Sequence, residues 1–298
     1  MKNLKTSVIG SYPIDIEVLN HVKGYFNQKI VTWDKYIESA VEDMVNSGID
    51  FVSDGQTKDP FVNIFTRKLK GCRIRDRTEI ISKVEYNGQI TIDDLKYAKN
   101  LIPKNRKLIG VITGPFTLTN SSVDLYYNDE KDLAFDFAKA LSFEAKHMQK
   151  YADIISIDEP FFSMAMPDYG KELINIITKN VSLPTRLHVC GDISKVIPNL
   201  LDMSVDILSH EFKASPKLFD EFRKYNITKN ICLGSVRSDK VDIESVDEIV
   251  SHIRKGIDIF GEKITQIAPD CGQKMLPRNV AFQKLKNLVK AGEIVNGR

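Results

Sequence analysis

Residues 184–192 read Pro184-Thr-Arg-Leu-His188-Val-Cys190-Gly-Asp192, and this stretch decides the fold. The run Pro184–Val189 has the length of one strand and gives way to a Gly-Asp turn. Side chains alternate along a strand, so His188 and Cys190, two positions apart, aim an imidazole and a thiol at one point.

Seven further runs of strand length flank it: Thr6–Gly10, Asp50–Ser53, Leu108–Thr113, Asp153–Ile157, Asp206–Ser209, Asn230–Gly234 and Thr265–Ala268. Several are wholly apolar, as befits parallel strands covered on both faces. Between them, apolar residues recur at helical spacing over Trp33–Asn46, Leu133–Tyr151, Lys171–Lys179, Ile193–Met203, Pro216–Tyr225, Ser245–Phe260 and Pro277–Val295. Thr32-Trp33 and Ser215-Pro216 read as helix starts. Eight β–α units in 298 residues predict a (β/α)8 TIM barrel, a fold of about 250 residues at its usual size. A doubly wound open sheet is the competing architecture. The alternation in Arg73–Asp94 around Asn87-Gly88 predicts a β-hairpin inserted after the second strand. Nothing resembling a flexible linker divides the chain, so residues 1–298 are expected to form one catalytic barrel domain.

In such a barrel the site is built at the carboxyl ends of the strands. The unusual polar residues fall there: Ser11 after strand one, Asp54-Gly-Gln56 after two, Gly114-Pro115 after three, Asp158-Glu159-Pro160 after four, His188 and Cys190 on five, His210-Glu211 after six, and Asp270-Cys271-Gly272 after eight. Each alone has an ordinary reading as a turn, a cap or a core residue. Together they map to one face. Two sulfurs from Cys190 and Cys271, a nitrogen from His188 and an oxygen from Glu211 make a ligand set suited to tetrahedral zinc. A closed structural zinc is the alternative, but a barrel of this size has little use for one. Glu159 should point away from Asp158 and cap a helix or form an ion pair. Cys232 lies in an apolar strand and reads as core.

The remaining composition narrows the function class. Hydrophobic residues are 42% and charged residues 28%, an ordinary globular profile. The formal charge is +2 with no long basic run, so neither a nucleic-acid nor a membrane-surface partner is expected. No apolar stretch reaches about 18 residues. Met1-Lys-Asn-Leu-Lys5 runs straight into the first strand, so a secretory leader is not expected and a cytoplasmic location is. In a reducing compartment the four cysteines are better suited to metal binding or chemistry than to disulfides.

Ile9-Gly-Ser11, Asp54-Gly-Gln56, Gly114-Pro115, Ile157-Asp-Glu-Pro160, His188-Val-Cys190, Glu211 and Pro269-Asp-Cys-Gly272, followed by a long final helix, resemble the C-terminal catalytic barrel of cobalamin-independent methionine synthase. The length resembles the short archaeal-type members that lack the N-terminal barrel. The resemblance implies zinc at His188, Cys190, Glu211 and Cys271, and homocysteine as methyl acceptor. It implies that Asp158 takes the substrate ammonium group, and that Ser11 with the backbone at Ile9 holds the carboxylate. Gln56 stands where the long enzymes carry a glutamate on the ammonium side, so this chain supplies a neutral amide there. Two further departures concern the donor. Gly114-Pro-Phe-Thr-Leu-Thr-Asn-Ser-Ser122 has no tryptophan to stack on folate, and Gly234-Ser-Val-Arg-Ser-Asp239 has no histidine to protonate a leaving folate nitrogen. These departures favour methylcobalamin or a methylated corrinoid protein as donor, with a tetrahydromethanopterin-type pterin as a further option.

A free thiol has a pKa near about 8.5, so an ion that deprotonates it makes the nucleophile available at neutral pH. Glu211 would give way as the substrate sulfur arrives, and methyl transfer would follow by in-line attack without a protein nucleophile. The rivals are a zinc thiol methyltransferase acting on coenzyme M or another acceptor, a non-catalytic barrel that binds zinc or a corrinoid protein, and a zinc hydrolase. Two thiolates weaken the metal as a Lewis acid, which disfavours the hydrolase.

Overall fold

The computed structural model describes residues 4–15, 33–58 and 60–297. Eight parallel strands form the barrel: β1 (Lys5–Thr6), β2 (Phe51–Val52), β5 (Lys107–Thr113), β7 (Ile154–Asp158), β8 (Thr185–His188), β9 (Ile207–His210), β10 (Asn230–Val236) and β11 (Ile264–Pro269). Their order around the sheet is β1-β11-β10-β9-β8-β7-β5-β2. Closure comes from a parallel bridge between Ser7 and Phe51, with the Val8 N–H donating to the Phe51 carbonyl at 3.1 Å. All eight predicted strands are present. Their leading residues Asp50, Asp153 and Asp206 sit just before the ladders, where their carboxylates accept an N–H near the start of a neighbouring strand: Thr6, Leu108 and Thr185 at 2.9, 3.0 and 2.7 Å.

The helices follow from capping and amphipathic spacing. Helix Trp33–Asn46 buries Tyr36, Ile37, Ala40, Val41 and Met44, one stripe against the barrel. Its proposed start at Thr32 lies outside the described residues. Asp129 caps Glu130–Met148 by accepting from the Lys131 N–H, and acids stand in the first turn with Lys146 and His147 in the last, which suits the helix dipole. Ser245 caps Val246–Phe260 by accepting from Glu248 N–H. Among the described residues, no helix is long and apolar enough to cross a membrane.

A hairpin follows β2, but its turn is not at Asn87-Gly88. β3 (Lys70–Ile74) and β4 (Thr78–Glu85) pair antiparallel with Ile74 opposite Thr78, so the chain reverses at Arg75-Asp76-Arg77. β6 (Ser122–Asp124) joins β4 in parallel to make a three-stranded sheet. Gly88, at φ +100°, instead leads the chain out of β4 toward helix Ile92–Leu101. The reason lies across the interface. Glu144, fully buried on helix Glu130–Met148, accepts from the N–H groups of Ile90 and Thr91 at 3.0 and 2.7 Å, from the Thr91 hydroxyl at 3.0 Å, and from the Tyr86 hydroxyl at 2.9 Å. The residues after Asn87-Gly88 are thereby fixed as a helix approach rather than as a returning strand.

Glu144→Ala leaves those donors buried without an acceptor. Its expected effect is a loss of about 3 kcal/mol of unfolding free energy in urea titration, with faster amide exchange at Ile90 and Thr91. Native protection at those two amides would show that the insertion is held by something else.

Candidate active site and metal centre

The strand ends converge on a cavity of about 220 Å³ lined by Ile9, Ser11, Gln56, Asp158, His188, Cys190 and Cys271, among others. Every site residue predicted from the sequence is therefore on its wall except Glu211. A larger concavity, about 690 Å³, opens at the opposite end among Lys5, Lys107, Asp153 and Asp206. Asp153 is held there by Lys99 and Lys107, and Asp206 by Thr185. That end is the barrel's stability face, whereas chemistry belongs at the carboxyl ends.

His188, Cys190 and Cys271 each offer a ligand atom, and these atoms lie within 4.8 Å of one another. His188 is 2% exposed. Its Nδ1 is 3.2 Å from the Ser209 hydroxyl, while its Nε2 is buried without a hydrogen-bond partner. Burial, with Arg186 and His210 nearby, drives the imidazole pKa well below its ordinary value, so the ring is neutral with a lone pair to give. The Cys271 thiol is pushed well above its ordinary range by a hydrogen bond with Cys190, by burial, and by the negative charge of Cys190, Glu211 and Asp158. Two adjoining thiols and an orphaned imidazole nitrogen in an acidic surround are a donor set that fits a soft or borderline divalent cation.

The loops hold these donors in place. Ser238 clamps Cys271 at both backbone groups, donating to its carbonyl at 2.7 Å and accepting from its N–H at 3.1 Å. Asp270 accepts from the N–H groups of Lys213 and Ala214 at 3.0 and 2.7 Å, tying the β11 loop to the β9 loop. At Gly272 a Cβ would lie 2.2 Å from the Ser11 hydroxyl, so any larger residue would turn that hydroxyl away. Glu211 stands outside the 4.8 Å group. Its carboxylate accepts from the Gly191 N–H at 2.9 Å, beside Cys190, and burial raises its pKa.

Asp158 and Gln56 face each other over Gly10. A Cβ on Gly10 would lie 2.8 Å from Gln56 Oε1 and 3.5 Å from Asp158 Oδ2. Gln56 adopts φ +43°, a left-handed conformation rare outside glycine, as residues pinned at functional sites do. Burial raises the Asp158 pKa to about 7, opposed by Arg186 and by the Ser156 hydroxyl, which donates at 3.2 Å. Glu159 points the other way, as alternation requires. It is fully buried and accepts from Phe116 N–H, Thr117 N–H and the Thr117 hydroxyl, at 2.9, 2.9 and 2.6 Å, capping helix Pro115–Asn120. His210 turns outward, its Nδ1 3.0 Å from the Val189 carbonyl and its ring against Phe212 and Phe222. Ser156, Arg186, Ser209 and Ser238 were not picked out by motif. Arg186 shares the strand face of His188, so the same period-two reading would have placed it in the lumen.

The model of the cobalamin-independent synthase catalytic domain matches residues 4–294. A methionine synthase from Methanocaldococcus jannaschii is 37% identical, over 97% of this chain and 99% of that protein. One from Saccharolobus solfataricus is 30% identical, over 98% and 95%. Among solved structures, a B12-independent methionine synthase from a Shewanella species, in complex with selenomethionine, has a TM-score of 0.83 at 23% identity, covering 99% of this chain and 98% of that one. A methyltransferase from Methanosarcina mazei has a TM-score of 0.71 at 17% identity, covering 99% and 95%. At those identities the two structures speak to the fold, and the full-length sequence matches speak to the family. The chain belongs to the cobalamin-independent methionine synthase family of methyltransferases.

Proposed function

We propose that this enzyme methylates the thiol of homocysteine to form methionine, at a zinc ion held by His188, Cys190 and Cys271 with Glu211 as the oxygen donor beside them. One observation carries the reading: an unpartnered buried imidazole nitrogen and two thiols open onto the cavity that Asp158, Gln56 and Ser11 line. Zinc bound there supplies the positive charge that keeps an incoming thiol ionised at neutral pH.

The chain's own residues do the rest. Ser209 at Nδ1 orients His188 and leaves Nε2 as the ligating nitrogen. Asp158 presents a carboxylate oxygen to the substrate ammonium group, and Gln56 Oε1 adds a neutral acceptor on the same side. The Ser11 hydroxyl, tucked against Gly272, faces the substrate carboxylate. A cavity of about 220 Å³ is below the range of about 300–1,000 Å³ filled by larger ligands. It accommodates the amino-acid acceptor, and the donor approaches from the open mouth. Phe61, which opens the helix after β2, and Met164 and Met275, on the segments after β7 and β11, are 39, 78 and 91% exposed beyond those strand ends. An apolar rim with no imidazole acid in the 234–239 loop favours a methyl group carried on a corrinoid, free or protein-bound, over a folate-type donor.

The direct test is to incubate the zinc-loaded protein with homocysteine and, separately, methylcobalamin, a methylated corrinoid protein, and methylated folate or tetrahydromethanopterin, and to measure methionine. Formation from the corrinoid donors is expected; no methionine from any donor would sink the reading. Cys271→Ser is expected to weaken zinc binding by more than the ~10–100-fold typical of losing an outer partner, and to abolish turnover. Full activity of a zinc-free Cys271→Ser protein is the contrary outcome. Asp158→Asn is expected to raise the KM for homocysteine by about 10–100-fold, the worth of one charge-assisted contact. Its activity toward coenzyme M, which has no amino group, should not change; an equal loss for both thiols would remove Asp158 from the ammonium site.

A further inference from the structure

Arg186 is fully buried in the lumen of the barrel, in the layer beneath the cavity. Among the described residues its guanidinium has no carboxylate in direct contact. Nε donates to the Ser156 hydroxyl at 3.1 Å; Nη1 donates to the Ser7 hydroxyl at 2.9 Å and Gln266 Oε1 at 3.3 Å, with Cys232 Sγ at 3.9 Å; Nη2 donates to the carbonyls of Val8 and Ile9 at 3.0 and 3.2 Å. A buried cation held only by neutral groups is costly, and barrel lumens are filled by branched aliphatic side chains for that reason.

Two sets of contacts give the cation its use. The first is at the end of β1. Beyond the Ser7–Phe51 bridge, buried carbonyls still require donors. Arg186 donates to Val8, whose carbonyl also accepts from the Ser7 hydroxyl at 3.1 Å, and to Ile9, and the Ser53 hydroxyl donates to the next carbonyl, Gly10, at 2.6 Å. The segment leading to Ser11 is thus held from below by side chains, which lets Gly10 and Ser11 bend over the cavity. The second is at β7. The Ser156 hydroxyl that accepts from Arg186 donates in turn to Asp158 Oδ1 at 3.2 Å. One planar fork therefore reaches both walls of the amino-acid cradle.

We infer that Arg186 is a positioning residue for the amino-acid end of the acceptor: it sets Ile9–Ser11 on one wall and, through Ser156, Asp158 on the other. The inference rests on the reading that the acceptor is an amino-acid thiol. It gives a site with a neutral amide at Gln56 a means of holding an amino-acid thiol, since the ammonium and carboxylate contacts would be registered by one rigid group rather than by two flexible ones.

The test measures L-methionine binding by calorimetry, which reads the cradle without a methyl donor, beside KM and kcat for homocysteine and zinc content. Arg186→Met is expected to weaken methionine binding and raise KM by about 10–100-fold, with kcat within about threefold of wild type and zinc content unchanged. Arg186→Lys keeps the charge but loses the fork and should fall between the two. Ser156→Ala removes one hydroxyl only; about three- to tenfold weaker methionine binding is expected, and this variant decides the matter if Arg186→Met does not fold. Wild-type methionine affinity in Ser156→Ala or Arg186→Met overturns this inference alone, as does a loss of kcat and zinc content in step with KM. A wild-type protein that binds no methionine overturns the amino-acid reading and this inference together.

Discussion

The seam between β1 and β2 is the constraint on which the site depends. Every other neighbouring pair in the barrel has a ladder; this pair has the Ser7–Phe51 bridge and stitches of mixed origin. Asp50 and Thr6 exchange hydrogen bonds, Val8 donates to Phe51, Ser53 donates to Gly10, and Tyr12 donates to the Gly55 carbonyl at 2.9 Å. A regular ladder would have run Ile9, Gly10 and Ser11 straight up the barrel wall. The interrupted seam lets the first chain lean over the mouth and lets Gln56 take its left-handed turn beneath it. Closure and function are competing demands on the same residues, and side-chain hydrogen bonds reconcile them. A backbone carbonyl bonded to a buried donor is as satisfied as one bonded in a sheet.

Burial alone does not distinguish the acidic groups around the site. It raises Asp158 and Glu159 to about 7 and Asp270 to about 8. What separates them is what their oxygens already hold. Glu159 is committed to the N-terminus of a helix, and Asp270 to two amides of the β9 loop. Asp158 has the Ser156 hydroxyl on one oxygen, and the other faces the space above Gly10. A perturbed carboxyl is a candidate for function only after its structural hydrogen bonds have been subtracted. The same subtraction singles out His188 from His252. His252, partly buried, has its Nε2 2.9 Å from the Gly234 carbonyl, while the Nε2 atoms of His188 and His210 have no partner, and of those two only His188 lies on the cavity wall.

The strand-and-helix plan and most of the cavity wall were legible in the sequence, because both rest on short periods. Alternation puts His188 and Cys190 on one face, and a parallel barrel brings Cys271 to the same mouth. What escaped was set by contacts distant in the chain. Asn87-Gly88 has the composition of a hairpin turn, yet Glu144, more than fifty residues away, captures the segment that follows. Glu211 stands at the strand end the sequence indicates, but one of its oxygens accepts from the Gly191 N–H, twenty residues earlier in the chain, so it lies beside the three-donor group rather than within it. Arg186 is a charged residue inside a fully buried strand; only the closed lumen, with Ser7, Ser156 and Gln266 drawn from three other segments, shows what it serves.

The glutamine at position 56 follows from that lumen. Arg186 stands one hydroxyl below Asp158, and the Lys274 ammonium donates to the Gln56 carbonyl at 3.1 Å. A glutamate at 56 would set a second carboxylate across Gly10 from the first, and two neighbouring carboxylates raise each other's pKa. An amide keeps the acceptor oxygen and omits the charge. One buried guanidinium, a single hydroxyl away, then opposes the burial of one carboxylate, Asp158, rather than of two.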